Sequence, residues 1–327
     1  MDEYKRDYLV GVVLVLLCSV LWGGMHVLTK TVIEQGVSPT EIVAFRQFIS
    51  GLVVAVFSIY LYRKSLYKNS WAFVYDKDTL VTFVSRGLAA VFYVYALMYL
   101  TATTTIVFYK LSCVFSLLFA LYFINKKPKV ISLGIAIVGV MLVTLGAITA
   151  AYSISPGEEE LNAPIYAYSF ALLAPLLWAA FAAYSEKHED TSLKTSDLHV
   201  RSAYLSQVLI LSAFIPLLVH VIVGQETTLS IILLDQGSSK YLVANVAVIG
   251  FISGVVAILY FEAVKRISGV LVSAILAAEI VATLLFEVLV YNMSIDLMVI
   301  LSIAGVIIGI YLVSKESGKL RLEDVRK

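Results

Sequence analysis

Charge is what this chain has least of. Of its 327 residues, 14% are Asp, Glu, Lys or Arg and 60% are hydrophobic, whereas soluble domains carry about a quarter charged residues. A water-solvated surface cannot be built from so few, and the unit of organisation is a membrane span rather than a soluble core. The net charge of +1 supplies no basic face for nucleic acid. Only two cysteines occur, Cys18 and Cys113, both inside hydrophobic runs and without zinc or disulfide spacing, so they read as packing residues. There is no GxxxxGK[ST] phosphate loop to support ATP-driven transport by this chain alone. The hydrophobic runs also lack HExxH, GxSxG and any His-Asp constellation, which argues against an intramembrane protease or transferase and for a chain that is not an enzyme.

Long apolar runs are what the chain has instead. A helix needs about 20 apolar residues to cross the hydrocarbon layer. Such runs fall near 8–33, 40–62, 79–100, 104–125, 129–151, 164–186, 197–223, 241–264, 269–291 and 295–314, predicting an all-α integral membrane protein of about ten transmembrane helices. The first run is too long for a signal-peptide core and no small-residue cleavage site closes it, so it is expected to be retained. One alternate set of connections holds nearly all the loop lysines and arginines, among them Lys5, Arg63, Lys126, Lys187 and Lys265, while the other set holds only Lys240. By the positive-inside rule both termini are cytoplasmic, most simply in the plasma membrane, and the loop at 152–163 lies outside. Ser38, Pro39 and Glu41 form a capping signal for the second helix. Pro175 and Pro216 fall inside the sixth and seventh spans, where each removes a backbone bond.

The polar stretch SISPGEEELNAP at 153–164 divides the chain into 1–152 and 164–327, the latter ending in a cytoplasmic tail. The two halves resemble one another: Gly139 in IAIVGVMLV aligns with Gly305 in LSIAGVIIG, and Trp22 and Trp178 recur early in their halves. Five spans per half would insert the second copy upside down, giving two inverted five-helix repeats with a site near the midplane. The GxxxG matches at 250–254 and 305–309 read as internal packing, with a homodimer face on the tenth span as the alternative.

Residues 21–51, LWGGMHVLTKTVIEQGVSPTEIVAFRQFISG, and 260–279, YFEAVKRISGVLVSAILAAE, resemble the EamA type of the drug/metabolite transporter superfamily, in which Glu279 matches a family glutamate and Ile280 replaces the proline that follows it. The resemblance implies ten helices in two inverted repeats, no bound cofactor, and export or exchange of a small metabolite such as an amino acid by alternating access. A non-transporting sensor or scaffold is the competing class.

Ionisable groups inside apolar spans are costly and mark candidate sites. Lys110 sits in the fourth span, and His26, Arg46 and Lys110 share a depth of roughly 10 Å from the outer face. Together they form a cationic belt suited to an anionic or zwitterionic substrate. Lys30, on the stripe of Trp22 and His26, either joins this belt or pairs with Glu34. Arg46 would either bind ligand or order loop carbonyls, and His26 would either bind ligand or bridge helices. Glu279, near the midplane of the ninth span, corresponds through the repeat to Cys113, one turn from Lys110. A Lys110–Glu279 ion pair across the repeat interface is the sharpest geometric expectation, with protons as a candidate coupling ion at Glu279 or His26. Arg86 and Glu262 are a candidate inner latch, although Glu262 also sits beside Lys265 and Arg266. Glu287 is expected to snorkel outward. Tyr95 and Tyr99, with Phe92, form an aromatic stripe that is either packing or a ligand wall, and Trp178 is added as the repeat partner of Trp22.

Overall fold

The computed structural model describes residues 3–62, 77–123, 163–188, 198–224, 239–264, 275–292 and 295–325, with isolated positions among 138–149 and 266–272. All regular structure in them is helical: α1 (Glu3–Glu34), α2 (Pro39–Tyr62), α3 (Lys77–Tyr99), α4 (Ala102–Tyr109), α5 (Ser112–Phe123), α6 (Ile165–His188), α7 (Leu198–Ser212), α8 (Phe214–Val223), α9 (Ser239–Val264), α10 (Ala278–Tyr291) and α11 (Leu297–Val325). Six stretches, Arg6–Glu34, Pro39–Tyr60, Lys77–Tyr99, Ile165–Tyr184, Ser202–Val223 and Tyr241–Ala263, are long and apolar enough to cross a membrane. Large apolar side chains such as Leu17, Phe48, Val56 and Phe251 point outward from them, as lipid-facing residues do. The fifth expected span, the acidic loop up to 162 and the lysine-bearing connections at 63–76 and 124–137 lie wholly or mainly outside the described residues.

Helix ends follow their local chemistry. Gly36 adopts φ 92°, and the Val37 N–H donates to the Val32 carbonyl at 3.3 Å, a left-handed stop that turns α1 into Ser38 and the Pro39 start of α2. The two prolines behave differently. Pro175 is absorbed inside α6, whereas the seventh span breaks at Ala213, three residues before Pro216, into α7 and α8.

The fourth span is also broken. Rather than one helix over 104–125, α4 ends at Tyr109 and α5 begins at Ser112, with Lys110 as the C-cap of α4. The ninth span breaks correspondingly, its regular helix α10 starting at Ala278. Ser112 and Ala278 are 166 positions apart, as are Gly139 and Gly305, so the sequence repeat and the helix restarts share one register.

The two halves interleave. The closest helix pairs are α3 with α6, α9 with α1 and α2, α2 with α7, and α1 with α10, each joining the first half to the second. Glycine permits this approach. A Cβ on Gly23 would lie 2.8 Å from Ala282 Cβ, on Gly51 2.6 Å from Ile210, on Gly87 2.6 Å from Ile215, and on Gly146 2.6 Å from Val306. Gly250 and Gly254 likewise seat Ile49 and Val53 of α2, so this GxxxG pair packs internally as expected. Gly305 faces the Leu142 carbonyl at 4.0 Å.

Candidate functional site

Both helix breaks place a charge where the backbone favours its sign. Lys110 caps the C-terminus of α4, where the helix dipole is negative, and Glu279 lies in the first turn of α10, where it is positive. The two side chains meet: Lys110 Nζ donates to Glu279 Oε2. Its other carboxylate oxygen, Oε1, lies 2.6 Å from His26 Nε2 on α1, and Tyr93 on α3 places its hydroxyl 2.6 Å from His26 Nδ1. If Nε2 donates to the carboxylate, Nδ1 is left to accept the tyrosine O–H, giving a neutral imidazole with both nitrogens satisfied. Glu279, His26 and Tyr93 are all buried. A carboxylate in this position is tolerable because it has two partners; removing Lys110 leaves its charge facing only a neutral imidazole, and removing His26 leaves one oxygen without its donor.

Aromatic rings extend the cluster towards the second half. Tyr93 meets Tyr109 edge-on with centroids 5.3 Å apart, and Tyr109 lies 5.6 Å from Trp178 on α6. Arg86 projects from α3 with its guanidinium carbon 4.8 Å from the Trp178 ring centre and 4.9 Å from that of Phe181. Arg46, on α2, lies within electrostatic reach of His26, Tyr93, Tyr109 and Arg86. His26, Arg46, Lys110, Trp178 and Glu279 are thus brought to one region, as is Arg86.

Other candidates go elsewhere. The Arg86–Glu262 latch does not form: Glu262 accepts from Arg266 one turn away at 2.7 Å, because residues i and i+4 on one helical path meet before a partner on another helix can. Tyr95 and Tyr99 turn from the ionic cluster onto α6, against Phe170 at 5.7 Å and Tyr166 at 5.3 Å. Trp22 packs in the hydrophobic cluster that contains Met25 and Val94. Lys30 donates to the Leu100 carbonyl at 2.6 Å and lies 3.9 Å from Glu34, so it fastens the C-terminal end of α1 to the residue that follows α3. Glu287 does not snorkel. It is fully buried and accepts the backbone N–H groups of Ala102 and Thr103 at 2.5 and 2.8 Å, because the first turn of α4 has orphan donors that a carboxylate satisfies better than lipid headgroups could.

Sequence reasoning passed over Tyr93. The available signal was its spacing of seven from Arg86, two helical turns along the same face of α3, opposite the conspicuous aromatic stripe. Among the described residues no three His, Cys, Asp or Glu side chains are grouped to hold a metal ion.

Residues 9–150 and 165–315 match the EamA-like transporter family, one match for each half. A crystal structure of a protein superposes with a TM-score of 0.62 at 15% identity, covering 97% of this chain and 99% of that one, a likeness of fold. No curated protein matches the sequence.

Proposed function

We propose, from the premise that this chain belongs to the EamA-like transporter family, that it is a secondary exporter or exchanger of a small organic metabolite with an anionic or zwitterionic group, amino acids included. Membership makes it an integral membrane transporter of small molecules; alternating access between inverted repeats, both termini in the cytoplasm and a plasma-membrane location are the reading advanced here. The observation that carries it is the Lys110–Glu279 pair, which ties the break in the fourth span to its counterpart in the ninth.

That pair supports a cycle in which binding and gating are one event. A substrate anion competes with Glu279 for Lys110, or a proton on Glu279 releases it, and loss of the pair frees the C-terminal end of α4 from the start of α10 while Glu287 still holds the N-terminal end of α4. A ligand shifts the facing equilibrium only by its differential affinity for the two states, and competition for Lys110 provides such a difference. His26 holds Glu279 oriented while Lys110 is away.

Reconstituted vesicles test the reading. Counterflow should load a labelled amino-acid or organic-acid pool through the wild-type chain and fall at least tenfold in Lys110→Met, which removes about 1.4 kcal/mol or more of substrate interaction. Lys110→Met transport with unchanged apparent affinity would make the lysine structural. No flux of any pool through the wild-type chain would favour a sensor or scaffold.

A further inference from the structure

The ionic cluster holds more positive charge than it neutralises. Three cationic side chains, Arg46, Arg86 and Lys110, share a region with two buried carboxylates: Lys110 already has Glu279, and Glu287 is taken up by the backbone N–H groups of Ala102 and Thr103, with Lys30 within electrostatic reach. Neither Arg46 nor Arg86 has a carboxylate or hydrogen-bonding partner among the described residues, and Arg86 Nε is buried without an acceptor. Arginine stays protonated under all ordinary conditions, so two guanidinium charges within reach of each other remain uncompensated. Arg46 and Arg86 are half-buried, and a charge withdrawn from water without a partner carries a cost that a ligand of opposite sign would offset.

The geometry of Arg86 sharpens this. Trp178 and Phe181 rings lie 4.8 and 4.9 Å from its guanidinium carbon, occupying space that a ligand would otherwise share. Its N–H donors lie in the guanidinium plane, the direction in which a two-oxygen anion is held by paired bonds. A zwitterionic amino acid suits this site poorly, because its ammonium would meet two arginines while both nearby carboxylates are engaged, Glu279 by His26 and Lys110 and Glu287 by the first turn of α4.

We propose that Arg46 and Arg86 form a two-pronged receptor for a dianion, a small dicarboxylate or a phosphate group. The inference rests on the transporter reading and narrows its substrate to metabolites with two negative charges. Lys110 then acts as the gate partner and the arginines as the specificity element.

Purified full-length protein in lipid nanodiscs provides the test, with succinate, monomethyl succinate, inorganic phosphate and alanine as probes in a binding titration. Succinate, inorganic phosphate or both should bind about tenfold or more tightly than monomethyl succinate and alanine, and Arg46→Gln and Arg86→Gln should each weaken that binding about tenfold. Succinate alone identifies a dicarboxylate site and inorganic phosphate alone a phosphate site. Arg46→Lys and Arg86→Lys, which keep the charge and lose the fork, replace any glutamine variant that does not purify and should still weaken dianion binding. Equal affinity for succinate and its monomethyl ester, no binding of either dianion, or indifference to both arginine substitutions overturns the proposal. Vesicle flux separates the two readings: dianion binding without transport sinks the transporter reading alone, and alanine flux without dianion binding sinks the receptor alone.

Discussion

Four side chains from four helical segments, Tyr93, His26, Glu279 and Lys110, form one unbroken polar chain, and each is exposed to the loss of its neighbour. Lys110→Met leaves Glu279 with His26 alone, and Glu279→Gln leaves Lys110 without its carboxylate. Each single substitution is expected to cost about 3–5 kcal/mol, and the double should cost less than their sum. A double-mutant cycle by reversible denaturation should give a coupling above about 0.5 kcal/mol, and strict additivity would dissolve the pair. Lys110 and Glu279 were legible because charge in an apolar run is rare and the repeat aligned the two spans. Tyr93 was not: tyrosine is common in this chain, and its hydroxyl becomes significant only through a histidine 67 positions away. Glu287 was misread for a related reason, since nearness to a predicted span end says nothing of the orphan N–H groups that capture it.

Helices carry the next set of consequences. Glu287 on α10 caps α4 across the two halves, so Glu287→Ala should strand two buried donors and lower stability by about 1–3 kcal/mol for each, read as a drop in melting temperature of purified protein. An unchanged melting temperature would show that the carboxylate does not hold α4. Glycine contacts differ among themselves in a way that can be measured. Gly87→Ala forces a Cβ to 2.6 Å from Ile215 and 2.9 Å from the Ser212 carbonyl, and about 1–3 kcal/mol of destabilisation is expected. Gly24→Ala meets only the ring edge of Phe286 at 3.3 Å, so its effect should be smaller. Comparable losses at both positions would contradict this ranking. Hydrophobic length located the spans, whereas the breaks at Lys110 and Ala213 escaped it. An apolar run reads the same whether its helix is continuous or interrupted, and Pro216 supplied a hint that Lys110 did not.

At the level of the whole molecule, the distribution of Lys and Arg predicts that the loop at 152–163, nearly all of it outside the described residues, lies on the side opposite the termini. A single cysteine placed at position 158 should react with an impermeant thiol reagent added to intact cells. Modification only from the cytoplasmic side would reverse the topology. The sequence repeat foretold the two family matches, one in each half, and the common register of the helix restarts. How thoroughly the halves interleave was hidden, because periodicity marks which residues avoid water but not which helix meets which.

That interleaving has a consequence for biosynthesis. Lys110 precedes its carboxylate partner by 169 residues, which at about 5–20 residues per second is a delay of roughly ten to thirty seconds. During that interval α1, α2 and α3 have left the ribosome without α9, α7 and α6, and an unpaired ammonium waits at the level of hydrocarbon. The newborn first half must therefore be sheltered by the insertion machinery, or hold Lys110 in water, until α10 arrives. Premature termination before residue 279 would release a segment whose buried cation can never be matched, a defect that membrane quality control can sense as charge within the bilayer.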